Sequence, residues 1–128
     1  MANQLHTVRS ALSTNAPLDI VAVGANPYHE TLANVRHFIE RRGLGTMEDF
    51  YFVTDPNVKV VAKVWAAYGI SVIMKSTDKM SIHSDFVFII DPTGHLKWVI
   101  PDNPLSNWSG QRSAVSELLR LLHRSGIR

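Results

Sequence analysis

The sequence predicts an α/β fold, a three-layer sandwich in which helices cover a mixed β-sheet. Three observations lead there. Short apolar β-rich runs alternate with stretches of helical apolar spacing. The elements follow one another as α-β-α-β-α-β-β-α. The last two strands meet across Asp91-Pro92-Thr93-Gly94, a turn whose chemistry suits an antiparallel hairpin.

Taken in order, Ala2 to Leu12 carries Leu5, Val8, Ala11 and Leu12 at helical spacing and reads as a short amphipathic helix. Asp19 to Val23 is an apolar run ending at Gly24, the pattern of a buried parallel strand. Thr31 offers an N-cap to a helix with Leu32, Val35, Phe38 and Ile39 on its apolar face, stopped by Gly43. Asp49 to Thr54 is a second β-rich run. Asp55-Pro56-Asn57 opens the next helix, with Val60, Val61, Val64, Trp65 and Tyr68 on one side and Gly69 at its end. Its β-branched residues leave a strand over Val58 to Val61 as an alternative, which Trp65, Ala66 and Ala67 weigh against. Ile70 to Met74 reads as a short strand. The hairpin strands run over Phe86 to Ile90 and His95 to Ile100. A polar loop spans Pro101 to Ser109, and a helix from Gln111 to His123 turns Val115, Leu118, Leu119 and Leu122 inward.

Length and composition narrow the function classes. With 128 residues, 45% apolar and 19% charged, the chain is expected to form one domain over residues 1–128 with an ordinary core. Its 13 Lys and Arg and 11 Asp and Glu give a net charge of +2 without a basic block. That argues against nucleic acid as a partner. Arg41, Arg42, Arg120, His123, Arg124 and Arg128 are expected at helix ends, where cations oppose the negative end of the dipole. There is no cysteine, which excludes disulfides, thiol catalysis and thiolate metal sites within this chain. No apolar run is long enough for a membrane span and residues 1–10 lack a signal-peptide pattern, so the chain as written is expected in the cytoplasm.

The stretch Ile82 to Trp98, IHSDFVFIIDPTGHLKW, holds the main candidate. A His-Ser pair precedes an apolar strand, then Ile-Asp, a Gly turn and a second strand. This pattern resembles the Sco/SenC family of copper-handling proteins. The strand-loop Val21 to His29 with Thr31, the segment Phe50 to Thr54, and the Val64-Trp65-Ala66-Ala67-Tyr68-Gly69-Ile70 block agree with it. Related peroxidases share the D-x-x-G hairpin; the W-x-x-Y-G block with the later His-Ser favours Sco/SenC. The resemblance covers nearly the whole chain as an order of elements. It implies a thioredoxin-like sandwich whose first strand, or strands, are missing, so that the chain opens inside the first helix. It also implies copper delivery to a cytochrome c oxidase subunit during oxidase assembly, from a membrane-anchored position outside the cytoplasm. In the family a histidine joins two cysteines of a C-x-x-x-C motif in binding copper. Only His83 carries over as a metal ligand; the cysteines and anchor are expected upstream of Met1. The alternative is a non-catalytic thioredoxin-like binding module, or a truncated relic with no metal role. Loss of a central strand would leave sheet edges open, with edge pairing or strand swapping in a homodimer as the way to close them.

Each chemical reading has a plainer rival. His83 is a copper ligand or a strand cap bonded to nearby backbone. Met74 and Met80 offer thioethers to a cysteine-free copper site, yet Met more often fills gaps in a core. His29 with Glu30, and His95, lack any metal-ligand spacing. His6, His37 and His123 read as surface residues. Asp85 and Asp91 lie about 20 Å apart by strand rise, too far for an acid–base pair. His83, Ser84 and Asp85 make no hydrolase triad, because neighbouring strand residues point to opposite faces. Trp65 belongs to a core face, Trp98 is expected partly exposed, and Trp108 covers an edge or meets a partner. A thioredoxin-like peroxidase or reductase needs a thiolate, so no enzyme activity is expected.

Overall fold

The computed structural model describes residues 2–74, 82–101 and 114–128. The chain is mixed α/β and divides into two compact units, Asp19–Ser84 and Met1–Leu18 with Asp85–Arg128. Among the described residues no helix is long and apolar enough to cross a membrane.

In the first unit, β1 (Ile20–Val23) and β2 (Phe50–Val53) pair in parallel, Ile20 opposite Phe50 and Val23 opposite Val53. They are joined through α2 (Leu32–Arg41) and a 3₁₀ turn at Leu44–Thr46. The Thr31 side chain accepts from Asn34 N and caps α2 as its sequence position predicts. Thr31→Ala is expected to cost about 1 kcal/mol, read from the denaturant midpoint. An unchanged midpoint would mean the cap bond does not hold the helix. No residue of α2 is fully buried, and Leu32 and Phe38 are exposed. Phe38 instead meets Phe52 edge-on at 6.0 Å and lies under the Arg42 guanidinium.

α3 (Val58–Ala67) is a helix despite its four valines. Asn57 caps it by accepting from Lys59 N, and Val61 and Trp65 bury its inner stripe, so packing outweighs β propensity. Val60 and Tyr68, expected on the inner side, are exposed. Gly43 and Gly69 follow the two helices with φ of 68° and 65°, the left-handed geometry that stops a helix.

Two differences from the sequence reading stand out in this unit. β1 is not buried on both faces: Val21 and Val23 are 57% and 41% exposed, and their β2 neighbours Tyr51 and Val53 are 51% and 48% exposed. An apolar run does not say which of its alternating side chains finds cover. The second difference is an additional strand. Ile82 and His83 form β4, antiparallel to β3 (Val72–Ile73), with His83 opposite Val72. His83 therefore lies in its own short ladder instead of heading the next strand.

In the second unit, β5 (Phe86–Ile90) and β6 (Leu96–Pro101) form the expected hairpin, with a register shift between Ile89 and Ile90. α1 (Ala2–Ser10) packs on α4 (Ala114–Arg124). Val8, Leu12, Ala16, Leu118 and Leu122 make the core, with Val87, Ile89 and Ile100 packed against it. Leu121 is buried as well, completing the stripe of Leu118 and Leu122 at one helical turn. Arg9 closes the end of α1 by donating to the Ser13 and Thr14 carbonyls.

The strands among the described residues make three separate pairs, not the single mixed sheet expected. A single sheet needs a strand bonded on both sides, and each described strand bonds to one partner. The loop after Pro101, Trp108, Met80 and the start of the last predicted helix lie outside the described residues.

Candidate functional site

His83 is exposed on β4. Its backbone is held by the β3 ladder, which continues one residue further: Ser71 N donates to Ser84 Oγ and Ser84 N to Ser71 O, each at 3.1 Å. This clasp fixes the backbone from which the His83 side chain leaves. Met74, which follows β3, is half-buried. Among the described residues no three of His, Asp or Glu come together as a metal-binding group. His29, Glu30 and His95 accordingly build no three-ligand cluster with His83.

A polar corner that sequence reasoning missed forms where β1 and β2 end. Gly24 N donates to Val53 O at 2.8 Å, and the Trp65 indole N–H donates to Gly24 O at 2.9 Å. Glu30 lies against the Gly24 Cα; a Cβ built there would fall 2.6 Å from Oε1. The same carboxylate accepts from Asn26 N at 2.9 Å and from the Thr54 hydroxyl. Glu30 thus ties the loop after β1 to the end of β2. Asn26 Oδ1 and His29 Nε2 are buried with no hydrogen-bond partner among the described residues. With each carboxylate oxygen accepting a bond, the corner locks the loop to the end of β2. Gly24 right after the strand and Glu30 right before the cap were its sequence signals, but Trp65 is 41 residues away.

The hairpin turn carries the other polar cluster. Asp91 Oδ1 accepts from Thr93 N and His95 N, both at 2.9 Å, and from Thr93 Oγ1 at 2.6 Å. Lys97 Nζ lies 2.9 Å from Oδ2. The Thr93 hydroxyl bond, the Lys97 ammonium and the His95 and Thr93 amides hold the Asp91 carboxyl well below the usual carboxylate range. A group with a depressed folded pKa stabilises above its unfolded value of about 3.9 and loses that effect as pH falls toward the folded value. Acid below about pH 4 is therefore expected to loosen this turn. Asp91→Asn should flatten the acid-side fall in stability, followed by denaturant unfolding at pH 6 and pH 3; an identical slope would remove Asp91 as its source.

No protein-family model, curated protein or solved structure matches this chain.

Proposed function

We propose that this chain is a thioredoxin-like domain of the Sco/SenC type that handles copper as cargo for cytochrome c oxidase assembly, with His83 as its own ligand. The observation that carries this is the clasp around His83, which presents an exposed imidazole from backbone tied at both Val72 and Ser71. A ligand held in place binds better than one that must be ordered on binding. Copper(I) also wants soft donors, and the chain has no cysteine, so thiolates come from outside these 128 residues. The imidazole completes such a set and the thiolates supply most of the affinity.

Anaerobic copper(I) titration in the presence of a C-x-x-x-C peptide tests this. Full-length chain is expected to form a ternary species that His83→Ala weakens about tenfold or more, equivalent to about 1.4 kcal/mol. Equal behaviour of both chains would sink the reading.

The outward apolar face of Val21, Val23, Tyr51 and Val53 favours a second reading, a binding module without a metal role. Parallel strands ordinarily have both faces covered. Under that reading Val21→Lys changes the self-association seen by sedimentation, while His83→Ala changes nothing.

A further inference from the structure

The hairpin turn decides where the proton sits on His95. The Thr93 hydroxyl lies 2.6 Å from Asp91 Oδ1 and 2.6 Å from His95 Nδ1. A hydroxyl has one proton to give, and an ionised carboxylate has none. An Oγ1–Oδ1 approach this close needs the threonine proton between the two oxygens. Oγ1 then has only lone pairs to offer His95, so Nδ1 carries the ring hydrogen. In the neutral imidazole that leaves Nε2 as the lone-pair nitrogen. The His95 side chain is 76% exposed, and no bond to its Nε2 occurs among the described residues.

We propose that His95 Nε2 is an anchoring donor for a borderline divalent transition-metal ion, with Thr93 and Asp91 as the positioning groups behind it. Metal-binding histidines commonly donate their other ring N–H to a carboxylate, which fixes the tautomer and raises ligand basicity. Here the Thr93 hydroxyl relays that contact. Lys97 and the two turn amides keep Asp91 in place, so the relay is built into the hairpin. A single imidazole leaves the remaining coordination positions to water or to the donors of an incoming molecule. The site is therefore weak and labile, suited to transient contact rather than storage. It involves none of the residues around His83 and stands without the copper reading.

The test uses the whole ¹⁵N-labelled chain with Zn²⁺ as probe. Two-bond ¹⁵N–¹H correlations at neutral pH are expected to show His95 as the Nδ1–H tautomer. In a Zn²⁺ titration its ring signals should move before those of His6, His37 and His123. Thr93→Val should lose the tautomer bias and weaken the His95 response about tenfold, and Thr93→Ser should restore both. His83→Ala should leave the response unchanged. A dominant Nε2–H tautomer overturns the proposal. So does a His95 response no earlier than that of His6, His37 and His123, which would mean an adventitious ion only.

Discussion

Trp65→Ala is expected to lower the stability of the chain by about 3–5 kcal/mol, the range for removing a buried large aromatic side chain. The indole is 7% exposed and, with Val61, forms the buried stripe of α3. Two separate losses add up in this variant. One is the packing of the ring itself. The other is the bond from Nε1 to Gly24 O, which joins α3 to the end of β1 across 41 residues of chain. Trp65→Phe separates them, keeping most of the ring and removing the donor. It should cost about 1–3 kcal/mol, the penalty of leaving a buried carbonyl without its partner. Urea unfolding followed by far-UV circular dichroism reads both, since the tryptophan signal itself changes. A Trp65→Ala loss below about 1.5 kcal/mol would mean that α3 does not hold the end of the parallel pair.

The pattern of what was legible in the sequence follows the range of the interactions. Thr31, Asn57, Gly43 and Gly69 act on neighbours within a turn, and each marks a helix boundary as read. The Asp91–Gly94 turn is equally local. Helix α3 was harder, because its valines point one way and its Val61–Trp65 stripe the other; packing decided it. β4 was not legible, since two residues become a strand only when Val72 and Ile73 arrive opposite them. Nor does an apolar tetrapeptide such as Ile20–Val23 declare that one of its faces stays exposed. For the candidate site, His83 was proposed through resemblance, and the structure shows only that its backbone lies in a short ladder beside the Ser71–Ser84 bonds. The relay through Thr93 depends on turn geometry that spacing alone does not encode.

Gly24 and Glu30 are expected to be strongly coupled. Gly24→Ala puts a methyl group where the Glu30 carboxylate lies. The backbone at Gly24 does not need a left-handed conformation, so the cost comes from the contact and not from φ. Glu30 is flexible and can swing away, but only by giving up Asn26 N and the Thr54 hydroxyl. Hydrogen bonds to a charged group are worth about 1.5–3 kcal/mol each, and the freed carboxylate regains water, so the variant should lose about 2–4 kcal/mol. Glu30→Ala gives up the same bonds directly and should lose a similar amount. With Glu30 already gone, the added methyl meets no carboxylate, and the double variant should be little worse than either single one. The resulting coupling energy, close to the loss of one single variant at about 2–3 kcal/mol, belongs to contacting residues and not to independent ones. Additive losses in denaturant unfolding would show that Gly24 is required for some reason other than room for Glu30. Strong coupling would place the joint between the two parallel strands on that carboxylate, the same joint at which the Trp65 indole holds Gly24 from its other side.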